Sequence, residues 1–221
     1  MINSLNDRVT LNNGTKIPGL GLGVFQIPNQ DTAEVVANGI KEGYRLIDTA
    51  QVYGNEEGTG DNSFKDSYLA LEQLYKDGKI KAIGVSNFQI HHLEELAEYA
   101  TVTPVLDQVE SHPKLSQNEL RDYAAKHDIK IQAWSPLMQG KILKNATLQT
   151  IADKYNKSVA QVVLRWDIQR DVLLAVKSVH PERMQSNADV FDFALEQSDM
   201  DKINEMNEDL RVGPNPDEFD F

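Results

Sequence analysis

With 221 residues, 40% of them hydrophobic and 25% charged, the chain is long enough for one sizeable core, and a single domain over residues 1–221 is expected. A formal net charge of −12 argues against general nucleic-acid binding and against adsorption to anionic membranes, so any anionic ligand must be met by a local basic cluster. Zero cysteines exclude disulfides, thiolate catalysis and Cys-type zinc sites; with no basic or apolar leader in Met1 to Arg8, and the longest apolar run (Val172 to Val176) too short to span a bilayer, a cytoplasmic protein is expected.

Arg8 to Ile17 alternates around Asn13-Gly14, the signature of a tight β-hairpin. Gly19-Leu-Gly-Leu-Gly-Val-Phe25 follows as a glycine-rich apolar strand, whose glycines imply either close approach by a neighbour or ligand or a crowded barrel end. The spacing does not fit Gly-x-Gly-x-x-Gly and no helix opens at the last glycine, which argues against a Rossmann phosphate loop. Asp31 reads as the cap of a helix from Thr32 to Glu42 that stops at Gly43. Next, Leu46-Ile47 reads as a buried parallel strand, with Asp48 and Tyr53 just past it. Chemistry in α/β folds collects where strands end, which would make these a carboxylate and a phenolic acid; the alternative is a turn cap and a packing tyrosine. A tyrosine, with an ordinary pKa near 10, gives up its proton at neutral pH only where a cation stabilises the phenolate left behind.

Strand ends are expected near Val24, Asp48, Ser86, Glu110 and Trp134, at intervals of 24 residues with one interval of 38, and a last strand from Leu173 to Val176. Helices fill the gaps at Phe64 to Lys76, Ile90 to Tyr99, Gln117 to His127 with Ser116 as cap, and the paired segment Thr147 to Gln169. Repeated β-α units of this length predict an α/β fold of the (β/α)8, or TIM-barrel, type. The long interval holds only one helix, so six parallel strands are expected where eight close a barrel, with an apparent deletion near residues 60–61. Strands two and three of the six would then stand about 14 Å apart, three interstrand spacings, and their unpaired edges would favour self-association.

Five ordered motifs carry a resemblance. Asp48-Thr-Ala-Gln-Val-Tyr-Gly-Asn-Glu56, Ile83-Gly-Val-Ser-Asn-Phe88, Gln108-Val-Glu-Ser-His-Pro113, Trp134-Ser-Pro-Leu-Met-Gln-Gly140 and Lys177-Ser-Val-His-Pro-Glu-Arg183 with Asn187 resemble the successive motifs of the aldo-keto reductases, in particular bacterial aldehyde/ketone reductases and 2,5-diketo-D-gluconate reductase-like members. The match runs from the hairpin to the C-terminal Asn207 to Phe221. The resemblance implies NADPH-dependent reduction of a small aldehyde or ketone to an alcohol, on a barrel closed at its bottom by a hairpin, in a family of monomers. It implies Tyr53 as proton donor and Asp48 as the carboxylate that orders its neighbours, with Phe25 at an aromatic substrate-pocket position. Ser86, Asn87 and Gln108 would hold the nicotinamide carboxamide and Trp134 would stack on its ring. Ser135 and Leu137 would line the pyrophosphate path; Lys177, Ser178, Val179 and Arg183 would surround the 2′-phosphate, and Asn187 the adenine. Lys177 and Arg183 flanking Ser178 at a strand-helix junction also form a donor-rich site on chemical grounds alone.

The departures are specific. The family's catalytic lysine and histidine would lie at the ends of the third and fourth barrel strands, in the stretch absent between Gly60 and Asp61, and neither has a matching position. Without them a cofactor-binding pseudoenzyme or a deletion product is the alternative reading. Lys65 and Lys76 read as helix surface, and His112 is the least implausible replacement for the histidine. His91 and His92 read as solvent-facing, His127 as a helix C-cap and His180 as a rim residue. No metal site is expected, since Glu110 and His112 offer two ligands at best. Asp107 stands where the family usually has Asn, Val176 where Pro is common, and Ser186 where an acidic residue often meets the adenine.

Overall fold

The computed structural model describes residues 2–23, 29–48 and 64–218, and the side chains of all of these except 29–33, 48, 64, 66, 67 and 70. The hairpin forms as read: β1 (Arg8–Thr10) pairs antiparallel with β2 (Lys16–Pro18), Val9 opposite Ile17. Gly14 sits at φ +80° in the turn, a conformation that costs glycine no Cβ clash. The turn is also tied to the rest of the protein, because Asn12 Nδ2 donates to the Pro104 carbonyl and Asn13 Nδ2 to that of Lys81. Both carbonyls precede parallel strands, so the hairpin lies across the N-terminal ends of the sheet.

That sheet is wholly parallel and six-stranded: β3 (Leu20–Gly23), β4 (Ile47–Asp48), β5 (Val85–Ser86), β6 (Leu106–Glu110), β7 (Lys130–Trp134) and β8 (Leu173–Lys177), in the spatial order β4-β3-β8-β7-β6-β5. The order is a run of adjacent barrel steps, as expected for (β/α)8-type connectivity with six strands among the described residues. Gly21 within β3 and Gly19 just before it are explained by crowding from the protein itself: a Cβ on Gly21 would lie 2.9 Å from Leu46, and one on Gly19 2.3 Å from Ile2. β5 is two residues long, although Lys81 to Ser86 is apolar enough for a longer strand.

Helices α1 (Asn29–Lys41), α2 (Phe64–Lys76), α3 (Ile90–Ala97), α4 (Asn118–Lys126), α5 (Ala146–Tyr155), α6 (Val159–Gln169), α7 (Pro181–Ala188) and α8 (Gln197–Asn204) fill the connections. Gly43 at φ +97° ends the turn after α1 as expected, but the helix opens at Asn29, so Asp31 lies inside it rather than capping it. Ser116 is not the cap of α4 either. Gln117 occupies that position in the left-handed region at φ 52° without a side-chain cap, while the backbone of Ser116 is bonded to Asn207 and Arg170. The sequence supplies a better cap at α6, where Ser158 and Gln161 form a reciprocal capping box.

The main apolar cluster joins Leu20, Leu22, Val109, Ile131, Ala133, Leu174 and Val176 of the strands to Leu120, Ala124, Leu164, Ile168 and Met184 of the helices. A second cluster lies around Trp166 between α5, α6 and α8, and a third joins Tyr68 of α2 to Ile83 and Leu96. Helix α2 is locked to the turn after α3 by the buried carboxylate of Glu72, which accepts from the Thr101 and Val102 backbone N–H groups at 2.6 and 2.9 Å and from the Thr101 hydroxyl at 2.8 Å. Among the described residues no helix is long and apolar enough to cross a membrane.

Candidate active site

Of the residues singled out in the sequence, the described Asp48, Ser86, Asn87, Gln108, Trp134, Ser135 and Lys177 gather at the C-terminal ends of the parallel strands, the face on which barrel enzymes build their sites. Two rows of the sheet register organise them. Gly23 pairs with Asp48 on one side and Lys177 on the other, and Ser86 pairs with Gln108, which pairs with Gln132. Since side chains alternate along a strand, Gln108 and Glu110 share one face of β6, and Gln132 and Trp134 share one face of β7.

A hydrogen-bonded chain ties three strand ends together. The Ser86 hydroxyl and the Asn87 N–H both donate to the Gln108 carbonyl at 2.9 Å. Gln108 Nε2 donates to Oε1 of the buried Gln132 at 2.8 Å, and Trp134 Nε1 donates to Asn87 Oδ1 at 2.8 Å. Asn87 adopts φ 61° and Ser135 φ 51°, both left-handed, so β5 and β7 each end in a non-glycine residue held in a sparsely populated conformation, a kind of strain that clusters at functional sites. The turn continues with the Met138 N–H donating to the Ser135 carbonyl at 2.8 Å and Leu137 preceding Met138–Lys144, two 3-10 turns broken by a kink at Gln139 and Gly140.

Beneath the Asn87 turn lies Asp107. Fully buried on the opposite face of β6, it accepts one long bond, 3.4 Å, from the Phe88 N–H, and its Oδ2 has no partner among the described residues. Burial pushes its carboxyl up to about 8, against the weaker opposing pull of the Phe88 N–H, so at neutral pH Asp107 is mostly a neutral acid.

At the far end of the same face, Lys177 and Arg183 are exposed, and neither has an ion-pair partner among the described residues. Between them Ser178 is buried, its hydroxyl engaging both the N–H and the carbonyl of His180 at 3.2 Å, which shapes the turn into α7; Val179 is exposed and Asn187 is buried on α7. The Tyr44 hydroxyl fixes α7 by donating to the Met184 carbonyl at 3.1 Å. Two cations with no carboxylate partner among the described residues, one ending β8 and one in the first turn of α7, fit the phosphates of a dinucleotide in a protein of net charge −12, and an indole at the strand ends fits its flat ring.

The residues weighed as stand-ins for the missing cation and imidazole are engaged elsewhere. His112 is wholly buried, its Nε2 3.0 Å from Glu110 Oε1, so it supports that carboxylate rather than facing a ligand. Lys76 pairs with Glu72 at 3.0 Å, and Lys65 sits 4.8 Å from the centre of the Tyr99 ring. Phe25, Tyr53 and the junction at 60–61 lie outside the described residues, as does the side chain of Asp48.

The C-terminal segment also crosses this face. Glu110, fully buried, accepts from the Val212 N–H at 2.7 Å and from the Gly213 N–H at 3.1 Å, while Arg211 reaches Gln89 at 3.4 Å. Burial raises the Glu110 carboxyl, but the bonds from His112, Val212 and Gly213 outweigh it and hold the group below the usual carboxylate range. Asp217 lies 3.2 Å from His91 Nε2 and 3.7 Å from His92 Nε2; His91 is exposed as read, while His92 is half-buried beside the chain's own tail rather than solvent-facing. His91, His92 and Asp217 are close enough to share a metal ion, but His92 Nδ1 accepts from the Gln89 N–H, which puts the ring hydrogen on the Nε2 that faces Asp217. The signal for the segment was the acidic, glycine-containing tail itself, but nothing local in it names Glu110 as its partner.

Comparison with known proteins adds three findings. A family model described as Aldo/keto reductase family matches residues 59–208. The chain is 46% identical to the glyoxal reductase of Bacillus subtilis (strain 168) over 276 aligned positions covering all of both proteins, against 221 residues here, a difference of 55; it is 32% identical to the methylglyoxal reductase of Escherichia coli (strain K12), covering 96% of this chain and 97% of that one. Among solved structures, the apo form of Gox0644 superimposes with a TM-score of 0.91 at 32% identity, over 97% of this chain and 99% of that one, and a mutant of the same protein in complex with NADPH gives 0.89 at 33%.

Proposed function

The chain belongs to the aldo/keto reductase family, and from that membership we propose that it is an NADPH-dependent oxidoreductase reducing the carbonyl group of a small aldehyde or ketone to an alcohol. The observation that carries the reading is the chain of bonds joining Ser86, Asn87, Gln108 and Trp134 at the strand ends, in one sheet with the Asp48 and Lys177 row. When bound, NADPH supplies the hydride. In this reading Ser86, Asn87 and Gln108 hold the carboxamide of its nicotinamide, for which Asn87 keeps its amide Nδ2–H while its oxygen is taken by Trp134. Trp134 stacks on the ring; Ser135 and Leu137 line the pyrophosphate. Lys177, Ser178, Val179 and Arg183 surround the 2′-phosphate, and Asn187 meets the adenine. Tyr53 donates its phenolic proton to the carbonyl oxygen, Asp48 orders its neighbours and Phe25 lines the substrate pocket. The names of the two reductases above support short dicarbonyls of the glyoxal and methylglyoxal type as substrates.

A second reading is favoured by the 55-position difference in length of alignment: a deletion near residues 60–61 removes the family's lysine and histidine, leaving a cofactor binder with little turnover. General-acid and polarising groups are each worth about 10²–10⁴-fold. Loss of NADPH absorbance with glyoxal or methylglyoxal supports the first reading. Binding of NADPH, seen as a fluorescence change, without any turnover supports the second. Absence of binding overturns both. The proposal also takes the protein as a cytoplasmic single domain, monomeric unless β4 and β5, which end the described sheet, pair between copies; light scattering after size exclusion reads this out.

A further inference from the structure

Trp134 is held at both ends of its indole. Its Nε1 donates to Asn87 Oδ1 at 2.8 Å, and its six-membered ring abuts the backbone of Gly213: a Cβ added there would lie 2.4 Å from Cη2 and 3.1 Å from Cζ3. Gly213 is itself fixed, because its N–H and that of Val212 donate to the buried Glu110 carboxylate, braced from behind by His112. Gly213 is not among the residues with positive φ, so its backbone would accept a side chain; what demands that it carry none is the space, taken first by the indole and then by Glu110 Oε2, 3.2 Å from the same Cβ.

We propose that Glu110 and Gly213 are positioning residues for the cofactor seat: the buried carboxylate anchors the C-terminal segment so that the Gly213 backbone forms a stop against the outer edge of Trp134, fixing the plane of the ring. The inference rests on the reading that Trp134 stacks on the nicotinamide. Its physical content is that a carboxylate on β6 sets the pose of an aromatic ring on β7 through a strand of chain about 100 residues away in sequence. Neither Glu110 nor Gly213 touches the cofactor in this scheme. They fix the indole against rotation about its side-chain bonds, leaving Asn87 and Gly213 as the two contacts that define one orientation.

The test uses the full chain labelled with 5-fluorotryptophan, which gives two fluorine resonances because the sequence holds only Trp134 and Trp166. Trp134→Phe identifies the Trp134 signal. Gly213→Ala is expected to move that signal and leave the Trp166 signal in place, and to weaken NADPH binding by about three- to tenfold, the size of a lost aromatic stacking contact. Glu110→Gln, which puts an amide hydrogen where one of three donors now bonds, is expected to move the same signal. In a Trp134→Ala background, Gly213→Ala should have no further effect on NADPH affinity, whereas a merely structural role would add its own loss. A Trp134 resonance unmoved by both Gly213→Ala and Glu110→Gln overturns the inference, as does unchanged NADPH affinity in Gly213→Ala when Trp134→Ala weakens it. If Trp134→Ala itself leaves NADPH affinity unchanged, the stacking role assigned to Trp134 falls, and the proposed seat falls with it.

Discussion

Asp107→Asn should stabilise the protein, and do so more as pH rises. In the folded chain the Asp107 carboxyl titrates at about 8, up from its ordinary 3.8, because burial strips it of water and only one long bond compensates. A carboxyl raised in this way contributes no penalty below pH 3.8, where both states are protonated. Between 3.8 and about 8 the unfolded chain ionises while the folded one does not, so stability falls with rising pH at about 1.4 kcal/mol per unit. At pH 7 the accumulated loss is about 4 kcal/mol. An Asn removes it, but leaves an amide hydrogen where the unpartnered Oδ2 now sits, costing about 1–3 kcal/mol, so the net gain at pH 7 is about 2 kcal/mol. Urea unfolding of both proteins at pH 5 and pH 8 measures the contrast: the native chain should lose about 4 kcal/mol more than the variant between the two. Parallel pH profiles would refute the reasoning.

The opposite sign is expected at Glu72, whose carboxyl is held down to about 2; burial raises it, but bonds from Thr101, Val102 and Lys76 prevail. Its contribution, about 3 kcal/mol by linkage, is full above pH 4.5 and fades as pH falls toward 2, so Glu72→Gln should lower the urea midpoint at pH 7 and flatten the acid limb of the stability curve. Arg183→Ala should weaken NADPH binding about tenfold while leaving NADH binding nearly unchanged, as read by fluorescence titration, because only the former carries the phosphate this side chain is assigned. At the tail, Asp217→Asn should shift His92 to a still lower pKa in an NMR titration; burial and His91 already depress it, and Asp217 opposes them.

What was legible in the sequence is local. Asn13-Gly14 fixed a hairpin because only that turn chemistry is needed to form it, and Phe64 to Lys76 is helical with the limits its pattern implied. Ser86, Asn87, Gln108, Trp134, Ser135 and Lys177 also fell at or near strand ends as read, since one short motif spans each strand and the turn after it, while Arg183 and Asn187 lie on α7. The rest depended on partners distant in the chain. Ser116 has the right residue type for a cap, but its backbone is claimed by Asn207 and Arg170, which no local pattern reveals. His112 looked like a spare imidazole because sequence does not show that Glu110, two residues away, buries with it under Val212 and Gly213. Asp107 gave no sign of its raised pKa beyond being an acid among apolar residues.

The strand order also dictates when the sheet can be completed during synthesis. β5, β6 and β7 pair with neighbours made shortly before or after them, but among the described residues β3 and β4 join the other strands of the sheet only through β8, with Leu20 opposite Leu174. Until Leu173 to Lys177 leaves the ribosome, the first two parallel strands have no place to dock, and their apolar faces wait through most of translation. A nascent chain halted before Leu173 should therefore protect β6 and β7 from proteolysis while leaving β3 and β4 open to it.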